Sequence, residues 1–134
     1  MRIDEVEGIG PAYAAQLGKA GVASTDDLLQ QGAKPGGRDR LAAASGISGK
    51  LILEWVNHVD LMRIPGVGSE YSDLLEAAGV DSPAELAQRN AVNLAQTFQE
   101  VDAARPNMVR RVPSQETIEG WIAAAKGLPK IVEH

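Results

Sequence analysis

Apolar residues recur along this chain at the spacing of a helix rather than of a strand. Tyr13, Ala14, Leu17 and Ala20 share one helical face behind Pro11, a residue suited to the first position of a helix. No window alternates between apolar and polar residues for more than about five positions, as a half-buried strand would. The pattern therefore predicts an all-α fold.

Capping residues mark where several of these helices should begin and end. Helix N-caps are expected at Ser24 or Thr25, at Ser82 and at Ser114, because their hydroxyls can accept a hydrogen bond from a first-turn amide. Gly21 is placed to end the first helix in a left-handed turn.

The middle of the first half is predicted to contain a break and two helices. The AKPGG stretch, residues 33–37, indicates a break, and a short helix over 38–45 should end at Gly46. A longer helix is predicted from Ser48 to about Arg63, with its apolar residues in stripes.

The chain contains an internal duplication. A shift of 58 positions places EGIGPAYAAQL on PGVGSEYSDLL, and a shift of 66 places Trp55 on Trp121. Matches of this density indicate a repeat protein. We therefore predict a single compact domain of two pseudo-symmetric repeats, about 1–60 and 61–130, which share the helix near 48–63.

Composition limits the chemistry available to the chain. With 44% hydrophobic residues among 134, it is long and apolar enough to bury a core. The absence of cysteine excludes disulfides, thiolate chemistry and zinc ribbons. The formal net charge is −5 and both halves are acidic, so nucleic-acid binding would require a local basic patch.

Two further patterns concern location. The first residues, MRIDEVEGIG, lack the basic start and apolar run of a signal peptide. No apolar stretch approaches the length of a membrane span. We therefore expect a cytoplasmic protein without membrane contact.

The segment LMRIPGVGSEYSDLL resembles the helix-hairpin-helix motif. Gly66 and Gly68 stand at the two glycines of that hairpin, where a Cβ would be unfavourable. Ser72 fills the small position four residues later, and Ala14 fills it in the first copy. A small residue there lets the two helices cross closely.

The first repeat as a whole is similar to the N-terminal domains of RecA-class recombinases and to the C-terminal domain of RNA polymerase alpha. In both, a second hairpin of the "tGIS" type follows the first, and here it corresponds to Ser45–Ser48. The tandem layout resembles an uncharacterised bacterial family of paired helix-hairpin-helix proteins. This resemblance covers nearly the whole chain and implies a fold rather than a function.

In nucleic-acid-binding members of the motif class, hairpin amides and the following helix N-terminus hold a backbone phosphate. This sequence departs from that pattern, because Pro11 removes one amide donor and Glu70 adds a negative charge to the first turn. Only Lys50 provides a cation near the position, after the second glycine of the hairpin, where those members have a Lys or Arg. The hairpin positions, which are either structural or in contact with phosphate, are Gly8, Gly10, Gly46, Ser48, Gly66 and Gly68.

Two local basic groups remain as candidates for contact with an anion or nucleic acid. One interpretation is that they are solvated surface charges interleaved with acidic residues. The other is a pair of pseudo-symmetric anion sites, since each group lies between the first hairpin of a repeat and its tryptophan helix. The first group is Lys34, Arg38 and Arg40, and the second is Arg105, Arg110 and Arg111.

No arrangement of residues points to catalysis. The two histidines, His58 and His134, do not form a pair suited to a metal or a proton relay. Trp55 and Trp121 lie on apolar stripes typical of a core. The glycines of the first hairpin follow no strand, which a dinucleotide-binding fingerprint requires. We expect no enzyme activity, no metal site and no cofactor.

Three functions stay open. The first is a non-catalytic module that binds a protein partner or a second copy of itself, which the acidic balance and the altered hairpins favour. The second is sequence-nonspecific binding of a DNA or RNA backbone, which rests on likeness of fold. The third is binding of a small anion or metabolite between the repeats.

Overall fold

The computed structural model describes all 134 residues and contains helices without a β-strand, which confirms the all-α prediction. A short 3₁₀-helix, Ile3–Glu5, precedes eight α-helices. They are α1 (Pro11–Lys19), α2 (Thr25–Gly32), α3 (Pro35–Ser45), α4 (Gly49–Leu61), α5 (Ser69–Ala77), α6 (Pro83–Ala87), α7 (Ala91–Ala104) and α8 (Gln115–Lys126).

The predicted N-caps are confirmed. The hydroxyls of Ser24, Ser82 and Ser114 each accept a hydrogen bond from the amide three residues later, at 3.1–3.2 Å. At Ser24 the bond is reciprocal, because the carboxylate of Asp27 accepts from the Ser24 amide. Such a capping box satisfies two backbone donors that the start of a helix leaves without partners.

Two predicted boundaries in the first half are wrong. Helix α3 begins at Pro35, so Gly36 and Gly37 are helical rather than part of a break. Proline is well suited to the first position of a helix, and a Cβ on Gly37 would collide with the carbonyl oxygen of Gln31. Helix α4 ends at Leu61, two residues earlier than predicted.

Contacts divide the chain into two units. Unit 1 comprises residues 1–60 and 131–134, and unit 2 comprises residues 61–130. Unit 2 is therefore inserted in the sequence of unit 1, and the boundary lies at the last residue of α4. That the two form one domain of two repeats stays a prediction.

The core of unit 1 forms where α1, α2, α3 and α4 turn their apolar faces inward. Trp55 on α4 lies in this core with 2% of its surface exposed, as its apolar stripe predicts. Leu17, Leu28 and Val56 are fully buried around it. Burial of such side chains contributes about 1.5–3 kcal/mol each.

The core of unit 2 is organised around α8, against which α6 and α7 pack. Trp121 lies there with 3% of its surface exposed, and Phe98 of α7 is fully buried. Leu74 and Leu75 of α5 complete the same cluster.

None of the helices combines the length and the apolar composition that a membrane span needs.

Candidate functional site

Each unit contains one tight glycine turn of the same geometry. We call Val6–Ile9 the first glycine turn and Ile64–Val67 the second. In both, the amide of the fourth residue donates to the carbonyl of the first at 3.0 Å. The third residue, Gly8 or Gly66, has a φ of +87° or +89°, as a type II turn requires. A side chain at these positions would be strained.

A tryptophan lies beside each glycine turn. A Cβ on Gly66 would lie 3.2 Å from Nε1 of Trp121, and one on Gly8 would lie 3.6 Å from Nε1 of Trp55. The turns are therefore packed closely on the indole rings, in addition to requiring an unusual backbone angle. This gives the glycines an architectural role in both units.

A tyrosine packs against each of these tryptophans. The ring centroids of Tyr13 and Trp55 are 5.0 Å apart at 63°, and those of Tyr71 and Trp121 are 5.1 Å apart at 57°. Edge-to-face pairs of this kind stabilise a core by about 0.5–1.5 kcal/mol beyond their burial. Tyr13 keeps 40% of its surface exposed, whereas Tyr71 is half-buried.

The helices that follow the glycine turns begin without a side-chain cap. Gly10 and Gly68 are the N-caps of α1 and α5, in extended conformation, and neither helix start has a capping side chain. Pro11 provides no amide to α1, as the sequence indicates. The start of α1 therefore has one amide donor fewer, and Glu70 adds a negative charge to the first turn of α5.

At the predicted hairpin Ser45–Ser48, the helix that follows is capped by Ser48. Gly46 ends α3 with a φ of +76°, and the hydroxyl of Ser48 accepts from the amide of Leu51 at 3.2 Å. An amide that a phosphate would use is therefore occupied. Lys50 lies in the first turn of α4 and is exposed.

In unit 2, α5 holds the loop that carries two of the predicted arginines. The carboxylate of Glu70 accepts the backbone N–H of Arg110 at 3.2 Å, and Nε of Arg110 lies 3.6 Å from its other oxygen. The hydroxyl of Tyr71 donates to the carbonyl of Arg111 at 3.0 Å. The charge of Arg110 is thus balanced by the carboxylate that stands where a phosphate would bind.

Arg38 differs from the expectation of an exposed cation. It is 6% exposed, and its guanidinium donates to the carbonyls of Gly32, Ala33 and Glu133 at 2.8–3.2 Å. Arginine suits this role because its planar group presents several donors at once. Arg38 therefore binds the backbone of unit 1 itself.

The other predicted cations are exposed. Lys34 is the N-cap residue of α3 and Arg40 lies in its body, so unit 1 brings these two to the same helix. Arg105 is the C-cap residue of α7, whereas Arg111 belongs to the loop before α8.

Unit 2 also contains an open groove of about 460 Å³ that we did not predict from the sequence. Its floor is apolar and its rim carries two cations and one carboxylate. The carboxylate of Glu119 accepts a hydrogen bond from Gln115 at 3.2 Å, and Arg89 lies 4.0 Å from Glu85. The lining residues include Arg89, Asn90, Ala91, Glu119, Ile122 and Lys126.

A signal for part of this groove exists in the sequence. Glu119, Ile122 and Lys126 are three and four residues apart, so they share a face of α8. The cation on the opposite wall, Arg89, follows α6, and nothing in its spacing connects it with α8.

The pKa shifts of the chain lie away from the glycine turns. Hydrogen bonds from the backbone of Ala23 and from Ser24 lower the pKa of Asp27, against the opposing effect of its desolvation. The hydrogen bond with Arg2 lowers the pKa of Asp4. These shifts report capping and a surface ion pair rather than a reactive group. No cluster of three or more histidine or acidic side chains is arranged to hold a metal ion.

A family model described as "Domain of unknown function (DUF4332)" matches residues 7–128. The chain belongs to this family. The match includes both glycine turns but for Val6, both tryptophans and the whole groove of unit 2, and it ends before residues 131–134. Neither the curated proteins nor the solved structures contain a match to the chain.

Proposed function

We propose that the chain is a non-catalytic, cytoplasmic helix-hairpin-helix module that binds an acidic, apolar segment of a protein partner in the groove of unit 2. The observation that carries the proposal is the composition of that groove. Ile122 and Ala91 supply an apolar floor, and Arg89 and Lys126 supply positive charge at the rim. Sites that combine apolar lining with a few fixed polar groups are typical binding sites.

Charge argues for an acidic partner segment. Lys126 makes no ion pair within the chain, and the contact between Arg89 and Glu85 is at the distance limit of an ion pair. Glu119 accepts a hydrogen bond from the neutral amide of Gln115 and keeps its negative charge, so the two cations and one carboxylate of the rim leave one positive charge in excess. A carboxylate beside an apolar side chain would complement both cations and the floor.

The surroundings of the glycine turns support a protein partner rather than a phosphate, because they lack free cations and one amide donor. The exposed Arg110 side chain has the Glu70 carboxylate 3.6 Å away, Arg38 is buried against carbonyl groups, and Pro11 removes a donor amide. In phosphate-binding hairpins the amides act together with nearby cations. We infer that both turns of this chain are architectural.

The test is a polarisation titration with a labelled peptide of alternating glutamate and leucine. We expect binding that weakens at least about tenfold in the double charge reversal Arg89→Glu and Lys126→Glu, because two favourable charge contacts become repulsive. The matched control is Lys130→Glu, an exposed cation of unit 2 outside the groove. An affinity that the double variant shares with the control would contradict the proposal.

Nucleic-acid backbone binding is the second candidate. It is favoured by the exposure of Lys34, Arg40 and Lys50 in unit 1. Titration with mixed-sequence DNA at low salt distinguishes the two, since Lys34→Glu, Arg40→Glu and Lys50→Glu together would abolish DNA binding and leave peptide binding unchanged. A DNA probe that stays unbound at high micromolar protein removes this candidate. No observation favours the third hypothesis, binding of a small anion or metabolite.

A further inference from the structure

Residues 131–134, which we call the strap, join unit 1 through their backbone. The amide of Glu133 donates to the carbonyl of Ala33 at 2.8 Å, and the carbonyl of Glu133 accepts from Arg38 at 2.8 Å. Ala33 directly follows α2, and Arg38 lies near the start of α3. Both backbone polar groups of Glu133 therefore have partners in unit 1, a backbone carbonyl for its N–H and a guanidinium for its carbonyl.

One side chain of the strap anchors it. Val132 is 1% exposed and belongs to the core cluster of unit 1, whereas Ile131 beside it is 40% exposed. Nε2 of His134 lies 2.9 Å from Oδ1 of Asn57 on α4. We call the place in unit 1 that the strap occupies the slot. It is an apolar pocket for Val132, surrounded by the carbonyl of Ala33, the guanidinium of Arg38 and the side-chain oxygen of Asn57.

The slot cannot be emptied without cost. Departure of the strap would expose the Val132 hole and leave the buried guanidinium of Arg38 with one acceptor fewer. An unsatisfied buried donor is unfavourable, and more so when it is charged. A replacement that offers the same backbone groups and an apolar side chain would restore all of these contacts.

The link to the strap is short. Arg63 holds the carbonyl of Pro129 at 2.7 Å within unit 2, and Val132 is already buried within unit 1. Only Lys130 and Ile131 lie between these two anchors, and both are exposed. These two exposed residues are the hinge at which the strap would turn toward a second chain, and exchange of an identical segment is a low-cost route to a dimer.

We propose that the slot of unit 1 is a peptide-binding site whose occupant can be the strap of a second copy of this chain. Its contacts come from backbone atoms, the side chain of Val132 and the imidazole of His134, so a strap in trans satisfies the slot as the strap in cis does. The interface goes beyond the groove of unit 2 and involves none of its residues.

The absence of cysteine makes a direct test available in the full chain. A backbone hydrogen bond of 2.8 Å joins Ala33 and Glu133, so we choose these two positions for the cysteines. The double variant Ala33→Cys and Glu133→Cys should form the intrachain bond under mild oxidation. Two chains that carry one substitution each and different tags should form a mixed dimer whose yield rises with concentration.

Matched variants of the strap identify the cause of any dimer. Val132→Asp in the chain with Glu133→Cys should reduce the mixed dimer several-fold, because a charge would have to enter the core. Ile131→Asp adds the same charge at an exposed neighbour and should leave the yield unchanged. A double variant that closes in cis while the mixed single variants stay monomeric would overturn the proposal, as would equal yields for the two aspartate variants.

Discussion

The carboxylate of Glu70 holds Arg110 across forty positions of sequence, through a backbone N–H at 3.2 Å and a guanidinium nitrogen at 3.6 Å. It thereby fixes the loop before α8 against the first turn of α5. The same contact places a negative charge at the helix start that follows the second glycine turn. Glu70 therefore has two effects: it holds the loop before α8 in place, and it gives the start of α5 the weak affinity for phosphate that we expect.

Glu70→Ala should destabilise unit 2 more than the same substitution at a glutamate that has no partner. Glu116 is the matched control, because it also lies in the first turn of its helix but makes no hydrogen bond or ion pair with another side chain. Both variants lose the favourable effect of an acid on the helix dipole. The additional cost at Glu70 should be about 0.5–1.5 kcal/mol, which urea denaturation measures. Equal losses would show that the loop contact contributes nothing.

The two tyrosines provide a second comparison. Tyr71→Phe removes the hydroxyl that donates to the carbonyl of Arg111, and Tyr13→Phe removes a hydroxyl with no partner in the chain. Both rings keep their tryptophan contacts. We expect about 1 kcal/mol of lost stability for the first variant and almost none for the second. Thermal unfolding of both variants checks the difference, and a larger loss at Tyr13 would contradict it.

Arg38 should matter to stability, in contrast to its neighbour Arg40. Arg38→Ala removes the guanidinium donor from the carbonyls of Gly32 and Glu133, while Ala33 keeps the amide of Glu133, and it opens a gap in unit 1. We therefore expect a loss of at least about 2 kcal/mol. Arg40→Ala changes an exposed residue of the same helix and should cost less than about 0.5 kcal/mol. Denaturant midpoints of the two variants test this. Similar values would show that the buried guanidinium is not required.

The glycines of the second turn differ in their tolerance of a side chain. Gly66 has a φ of +89° and lies against Trp121, whereas Gly68 has a φ of −95° and open space around its Cβ position. Gly66→Ala should cost about 1–2 kcal/mol from the backbone alone, and Gly68→Ala should cost less. The unfolding transitions of the two variants measure this order, and the reverse order would contradict the turn geometry.

The capping box predicts an acid-dependent stability. The pKa of Asp27 is lowered from its ordinary value of 3.8 because the backbone of Ala23 donates to its carboxylate. A lowered pKa in the folded state stabilises the fold above the unfolded value, and this contribution disappears as the pH falls through the folded value. Asp27→Asn should therefore reduce the stability lost between about pH 7 and pH 3. Asp26→Asn, a change at an exposed neighbour outside the capping box, is the control in urea titrations, and equal pH dependence of the two variants would contradict the prediction.

Local features of the fold could be predicted from the sequence because they depend on near neighbours. A serine three residues before an acidic or polar residue identified the caps at Ser24 and Ser82, and apolar spacing identified the buried faces of Trp55 and Trp121. The AKPGG stretch misled the prediction, since Pro35 starts a helix as readily as it ends one.

The contacts that define the sites could not be predicted in the same way. Arg38 reaches Glu133 across 95 positions, and Glu70 reaches Arg110 across 40. In the sequence all four residues have the pattern of solvated surface charge. The groove wall at Arg89 was missed for the same reason, because its distance from α8 depends on how the two helices pack. Only the folded structure shows which cations already have a partner within the chain.

The insertion of unit 2 within unit 1 has a consequence for synthesis on the ribosome. Val132 is made after every residue of unit 2, yet it fills a place in the core of unit 1. Chains emerge from their N-terminal end and usually fold in that order. Here the part of the chain that is made first lacks a piece of its core until the part made later has been translated, so the second unit can be complete before the first.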